Sequence, residues 1–300
     1  INSHTLVSLV QLEYSGFDGA TVPICTFILG NAKTGIKGEF IKLTDFKGVE
    51  NQPVKTLEAI RNKNVYYRYS FDCNNFSYLP GFQIAYWLGE KTLKSFRENK
   101  KIGDVAEPRK GMVTADNQRF IRIWTEVDYN NIKFNCASRE ESVASGAKWF
   151  PYQKGGGYRK WYGNHLNVVN WYNDGYELLN MKNEGYKVGS TNHNLDYIFK
   201  RMITWNKITS DKFSARISPT GFLFDDAGPL CYVKNEEILL YVLGYFCSKL
   251  VLMYLDIINP TMNFQPGDIA SLPYVSPKDR DCLFKINGLV QDCIRISKVD

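Results

Sequence analysis

The chain has 300 residues, of which 44% are hydrophobic and 23% charged, and a formal net charge of +6 at pH 7. These values are typical of globular domains and exclude a chain that is disordered throughout. Three hundred residues are enough for one large domain or two ordinary ones, each with its own core.

The cysteines and the apolar runs narrow the class of protein further. The seven cysteines are widely spaced and form no CxxC pair, which favours free buried thiols in a reducing cytoplasm over disulfides or structural zinc. The longest apolar run starts at Ile238 but contains Lys249 and Asp256. Each charge costs roughly 2.5 to 3.5 kcal/mol at the centre of a bilayer. The run therefore predicts a buried helix and no membrane partner.

Residues 1–233 are predicted to contain both strands and helices. Three apolar bursts within residues 1–46, "TLVSLVQLEY", "TVPICTFILG" and "GEFIKLTDF", predict strands with at least one antiparallel hairpin. Residues 47–101 indicate two helices, the first beginning near Pro53. Residues 102–233 are strand-rich, with "RFIRIWTEV" and "GFLFDDAG" as the best strands. The segment "NLDYIFKRMITWNKI" is compatible with either a helix or a strand.

Two helices are predicted at the end of the chain. The first runs from about Glu236 to Ile258 and stops before Asn259-Pro260. The second has Ser276 as its N-cap, Pro277 at its first position and Asp279 in its first turn.

Catalytic and metal-binding patterns are scarce. The three histidines have no paired-ligand spacing, no GxSxG motif is present, and "KGGGYRK" lacks the ending of a phosphate-binding P-loop. Asp225 and Asp226 are adjacent, so a strand would point them to opposite faces. They are better interpreted as turn or sheet-end carboxylates than as a two-metal pair.

Basic and aromatic residues instead indicate a binding surface. Residues 148–216 contain eleven basic and five acidic residues and so carry the whole excess of +6, which favours a polyanionic partner unless the charge is merely a solvated, uneven surface. Within them "KWFPYQKGGGYRKWYGN" joins cations for phosphates, glycines for close approach and aromatic rings for stacking. The alternative is that Trp149, Phe150 and Trp161 are core anchors. The later "WNKITSDKFSARISPTGF" repeats the pattern of basic and hydroxyl groups.

These two stretches, with "TADNQRFIRIWTEV", "NVVNWYNDGYEL" and "NPTMNFQPGDIASLP", resemble the C-terminal part of the adenine-specific DNA methyltransferases of bacteriophage-exclusion (BREX) systems. They are also similar to restriction-modification methyltransferases with a TaqI-like C-terminal specificity domain. The resemblance implies an α+β chain. Residues 1–46 would be the last strands of a Rossmann-like methyltransferase core, 47–101 a helical linker, and 102–300 a mixed, strand-rich target-recognition domain backed by two C-terminal helices.

The resemblance also implies a role in phage defence. The chain would bind double-stranded DNA beside the upstream methyltransferase core, and other defence subunits are further possible partners. The family binds S-adenosylmethionine with an FxGxG-type loop and the flipped adenine with an NPPY-type motif, and this chain contains neither. We therefore expect an excised piece of the methyltransferase, beginning at Ile1, with no cofactor or catalytic residue of its own.

The predicted DNA contacts fall into several groups. Phosphate contacts are expected from the cations, close approach from the glycines, packing on sugar or base from the aromatic residues, and a base-edge contact from Arg216. The set is Lys148, Trp149, Tyr152, Lys154, Gly155, Gly156, Gly157, Arg159, Lys160, Trp161, Lys207, Lys212 and Arg216.

Two other functions remain open from the sequence. The chain could be part of a single-chain restriction-modification enzyme with endonuclease activity, although it has no PD-(D/E)xK-like cluster. It could also be a protein-docking module for a partner subunit, which predicts association that is insensitive to salt and no affinity for DNA.

Overall fold

The computed structural model describes residues 4–19, 22–32, 35–180 and 189–299. The chain divides into two compact units, Ile1–Glu98 and Asn99–Asp300. Both units mix helices with small sheets, so the predicted α+β class is confirmed.

The first unit is built on one four-stranded sheet. Its elements are β1 (Thr5–Gln11), β2 (Cys25–Gly30), β3 (Gly38–Lys42), α1 (Asn51–Arg61), β4 (Arg68–Phe71) and α2 (Glu90–Glu98). The strand order is β2-β1-β3-β4, with β1 and β3 parallel and the two outer pairs antiparallel. The three predicted strands and their hairpin are thus confirmed. Residues 47–101, predicted as a helical linker, also supply β4, whose Phe71 side chain is buried.

The second unit contains the remaining elements. Its strands are β5 (Lys100–Lys101), β6 (Ala106–Arg109), β7 (Ile121–Ile123), β8 (Trp149–Gln153), β9 (Asn167–Asn170), β10 (Met202–Trp205), β11 (Ala215–Ser218), β12 (Leu223–Phe224), β13 (Leu230–Val233) and β14 (Pro273–Tyr274). Its helices are α3 (Ile102–Val105), α4 (Asn117–Phe120), α5 (Arg139–Ala144), α6 (Tyr172–Leu179), α7 (Leu239–Phe246), α8 (Lys249–Ile258), α9 (Pro266–Ala270) and α10 (Arg280–Ser297).

Two four-stranded sheets form the centre of this unit. One has the order β11-β10-β13-β6 and is antiparallel throughout. The other has the order β12-β8-β9-β7, in which only the β12–β8 pair is parallel. All five side chains of β8 and all four of β10 and β11 are buried. The ambiguous segment after Asn194 therefore ends in a core strand, because Met202–Trp205 pair on both sides.

The C-terminal helices differ from their prediction. The single helix expected from Glu236 to Ile258 is interrupted, because the Ser248 hydroxyl accepts a hydrogen bond from the Val251 N–H at 3.3 Å and caps a new helix. The two segments are bent by 73°. Within the described residues no single helix could span a membrane, although this bent pair together meets the length and composition required.

The last helix begins later than predicted. Its N-cap is Asp279, whose carboxylate accepts a hydrogen bond from the Cys282 N–H at 2.7 Å, so Ser276 and Pro277 precede the helix. All seven cysteines are free, and four of them are buried.

Candidate nucleic-acid interface

The glycine loop that follows β8 is held by side chains from neighbouring elements. Asn206 Nδ2 donates to the Gly156 carbonyl at 2.6 Å, and Asn164 Nδ2 donates to the Gly157 carbonyl at 2.8 Å. Gly155 has φ +84°, and a Cβ there would lie 2.9 Å from the Ala227 carbonyl oxygen. The loop is therefore fixed in one shape by contacts that only the fold supplies.

Arg216 is one of the residues that anchor this loop. Its side chain is fully buried on β11, and Nη2 donates to Asn206 Oδ1 at 2.9 Å, which orients the amide that holds Gly156. Burial lowers the pKa of Arg216 to about 10. The predicted contact with a base edge does not fit this position, because the guanidinium does not reach the surface.

Two ion pairs lie beside the glycine loop. Lys154 Nζ lies 2.7 Å from Asp225 Oδ2, and Lys207 Nζ lies 2.6 Å from Asp226 Oδ2. The Tyr152 hydroxyl donates to the same Asp225 oxygen at 2.8 Å. Desolvation, followed by the charge of Asp225, raises the pKa of Tyr152 well above its usual value.

These contacts revise three of the predicted roles. Tyr152 is fully buried and cannot pack on a base in this conformation, and both lysines are neutralised by carboxylates. Asp225 and Asp226 serve as lysine partners at the end of β12. Among the described residues no group of three His, Cys, Asp or Glu side chains could hold a metal ion.

The aromatic end of the loop is also tied to the core. Lys160 Nζ donates to the Cys247 carbonyl at 2.7 Å. Trp161 is half-buried, with φ +69°, and its carbonyl accepts from the Ile217 N–H at 2.9 Å. Trp149 is only 9% exposed. The alternative interpretation of these aromatic residues as core anchors thus fits Trp149 and Phe150 fully and Trp161 in part.

Three of the predicted cations remain open to solvent. Lys148, Arg159 and Lys212 are exposed and form no ion pair among the described residues; we refer to them as the open cations. Arg201 is instead paired with Glu236 at 2.6 Å. Two further basic residues of the segment, Lys182 and Lys187, lie outside the described residues.

A cleft beside Lys154 is lined by polar residues that are not among the predicted DNA contacts. It has a volume of about 440 Å³, and its lining includes Asn117, Gln118, Arg122 and Asn167. A smaller cavity of about 270 Å³ shares Asn117 and Lys154 with it. Asn117, Gln118 and Arg122 belong to "TADNQRFIRIWTEV". The signal in the sequence was the closeness of two amides to a predicted strand that contains an arginine.

Comparison with known proteins connects this chain to a family. No family model matches it. It is 34% identical over 279 residues to the "Adenine-specific methyltransferase PglX" of Lacticaseibacillus casei, covering 91% of this chain. It is 30% identical over 307 aligned positions to the "Adenine-specific methyltransferase BrxX" of Escherichia coli, covering 100% of this chain.

This chain is homologous to part of the PglX and BrxX adenine-specific methyltransferases. The predicted resemblance to BREX methyltransferases is thereby confirmed. The chain spans 23% of the length of each of these relatives. Among solved structures, the type IIG restriction endonuclease BpuSI aligns with 96% of this chain and 38% of its own, at 9% identity and a TM-score of 0.39.

Proposed function

We propose that the chain is the DNA target-recognition part of an N6-adenine-specific DNA methyltransferase that acts in phage defence. The observation that carries this proposal is the homology to PglX and BrxX along nearly the whole chain. The excess of basic residues between 148 and 216 supports it, because phosphate contacts dominate the affinity of proteins for DNA.

The open cations are the groups best suited to contact phosphates. Lys148, Arg159 and Lys212 are exposed and unpaired among the described residues, so contact with DNA would not break an existing ion pair. Arg159 follows the anchored glycine loop, which restricts where its backbone lies. Lys154, Lys160 and Lys207 act differently, because they hold the loop against the core.

The first unit would complete the sheet of the methyltransferase core. Two features support its assignment as the last strands of a Rossmann-like sheet: the parallel pairing of β1 with β3, and the exposed apolar side chains of the edge strand β2. Phe27, Ile28 and Leu29 are each more than half exposed. A further strand or helix packed on β2 would remove them from water.

The reaction itself would depend on residues outside this chain. S-adenosylmethionine supplies the methyl group in this class of enzyme, and the sequence has neither the FxGxG-type loop nor the NPPY-type motif of the family. The role of the present residues is to bind duplex DNA, to orient it and to place one adenine where it can be flipped from the helix.

A salt-dependent binding experiment tests the proposal. Fluorescence anisotropy would follow the binding of duplex DNA to the wild-type chain and to a Lys148→Ala, Arg159→Ala, Lys212→Ala variant. We expect the variant to bind less tightly. Its slope of log K against log salt should be flatter by up to about 0.9 for each phosphate that the protein no longer neutralises.

The matched control removes the same charge elsewhere in the second unit. A Lys278→Ala, Arg280→Ala, Lys285→Ala variant changes three exposed cations at and before α10. We expect it to keep the wild-type slope. Equally weakened binding in both variants would indicate an effect of net charge alone. No binding by the wild-type chain at low salt would contradict the proposal and favour a protein-docking module.

A further inference from the structure

The cleft beside the glycine loop presents hydrogen-bonding groups that the fold leaves unused. Gln118 is exposed, and its amide makes no hydrogen bond among the described residues. Asn117 is exposed as well, and its Oδ1 accepts from Thr114 Oγ1 at 2.7 Å and from Lys154 Nζ at 3.3 Å. The Asn117 oxygen therefore accepts two hydrogen bonds already, whereas Nδ2 of Asn117 donates no hydrogen bond among the described residues.

Arg122 is held in the same cleft by the backbone. Its Nη1 donates to the carbonyls of Gln118 and, at 2.7 Å, Ile121. Its guanidinium carbon lies 6.0 Å from the centre of the Trp149 ring. No carboxylate pairs with it among the described residues, and the nearby Glu126 accepts instead from the Ile123 N–H at 2.8 Å. One edge of the guanidinium is thus oriented and free.

The backbone that presents these groups is constrained. Asp116 caps α4 by accepting from the Arg119 N–H at 3.0 Å, and β7 follows at once in the sheet with β9. Ala115, which precedes the cap, has φ +61°. A residue other than glycine is costly in this conformation, and such strain concentrates where a loop must present side chains to a ligand.

These residue types match the hydrogen-bonding patterns of purines. The amides of Asn and Gln pair with the N6 and N7 edge of adenine, and the guanidinium of Arg pairs with O6 and N7 of guanine. The cleft adjoins Lys154, whose ion pair with Asp225 lies beside the glycine loop that leads to the open cation Arg159. Arg216, by contrast, is buried and cannot make such a contact.

We infer that Asn117, Gln118 and Arg122 read base edges of duplex DNA, with the Gln118 amide directed to adenine, Asn117 Nδ2 directed to the N7 of a purine, and Arg122 directed to guanine. This inference rests on the proposed function, because it assigns specificity within a DNA-binding surface. The three residues determine which sequence is bound, whereas the open cations set how tightly any duplex is bound.

Selection from a random duplex pool, followed by sequencing of the bound fraction, tests the inference. The variants are Gln118→Ala, which removes one amide, and Arg122→Lys, which keeps the charge but not the planar pair of donors. We expect each to lower the enrichment of one purine at one site position by about fivefold or more, since a good bidentate contact contributes this much discrimination.

Two controls separate specificity from general binding and from folding. Gln291→Ala removes an exposed amide on α10, outside the cleft, and should leave the selected sequence unchanged. Circular dichroism should be the same for all variants. In anisotropy titrations with a mixed-sequence duplex, Gln118→Ala and Arg122→Lys should keep the wild-type salt slope.

The outcomes distinguish this inference from the proposed function. Salt-dependent binding with a selected sequence that both variants reproduce unchanged would overturn the base-reading role and leave the DNA-binding function standing. Salt-dependent binding by the wild-type chain without any sequence preference would have the same meaning. Absence of binding to every duplex would overturn both.

Discussion

Individual buried polar side chains determine the shape of the glycine loop. Arg216 orients Asn206, and Asn206 holds Gly156, so a charge inside the protein positions a backbone at its surface. Among the described residues, Nε and Nη1 of Arg216 have no hydrogen-bond partner. Such burial of a cation is expensive, which agrees with the lowered pKa of this group.

His165 should make the stability of the second unit depend on pH. It lies between the rings of Tyr162 and Phe222, with centroids 4.6 and 4.8 Å away. Burial, followed by the charges of Arg216 and Lys298, lowers the pKa of His165 from 6.5 to about 4. The unfolded chain therefore binds a proton more readily between these values, and stability is lost as the pH falls from 6.5 towards 4.

The test compares wild type with His165→Gln by urea denaturation at pH 7 and pH 5. We expect this histidine to lower the free energy of unfolding by about 2 kcal/mol between the two pH values, and the variant to lack that contribution. The comparison is between pH values within each protein, so a constant cost of the substitution cancels. Equal pH dependence of the two proteins would contradict the burial of a neutral His165.

At the scale of elements, short turns and caps decide how the predicted segments end. The expected long helix after Glu236 is divided by the Ser248 cap, and α10 starts at Asp279 rather than near Ser276. In the glycine loop, too, local backbone geometry separates residues that look alike in the sequence. Its three glycines look equivalent in sequence, but their backbones have different surroundings.

Substitution of the glycines should reveal this difference. Gly155→Ala places a Cβ 2.9 Å from the Ala227 carbonyl oxygen at φ +84°, whereas nothing lies within 4 Å of a Cβ at Gly157. We expect Gly155→Ala to lower the free energy of unfolding by about 1 to 3 kcal/mol, and Gly157→Ala to change it by less than about 0.5 kcal/mol. Thermal denaturation of both variants and of the wild type measures these changes in the free energy of unfolding. Similar destabilisation by the two substitutions would mean that the loop is not anchored as described.

At the scale of the whole molecule, all residues proposed to contact DNA belong to the second unit. This unit, Asn99–Asp300, contains its own core around Phe150, Trp171 and Phe199. We expect a chain limited to residues 99–300 to fold and to bind duplex DNA with the same salt slope as the full chain. Circular dichroism and anisotropy titration measure both. A folded 99–300 chain with no affinity for DNA would place essential contacts in the first unit.

The sequence by itself determined the class of the fold, the early strands and the relationship to adenine-specific methyltransferases. The periodicity of apolar residues indicates which faces of an element are buried. The alignments with PglX and BrxX cover 91% and 100% of this chain. The sequence also located the basic segment, because lysine and arginine residues are counted directly from it.

Only the tertiary structure decided which charged groups are available to bind a ligand. Lys154 and Lys207 meet Asp225 and Asp226, which are distant in sequence, and Arg216 turns inward because β11 is buried on both faces. Sequence alone could not distinguish these from Lys148 or Arg159. The composition of a segment sets how many cations it has, but long-range pairing and burial determine which of them can meet a ligand.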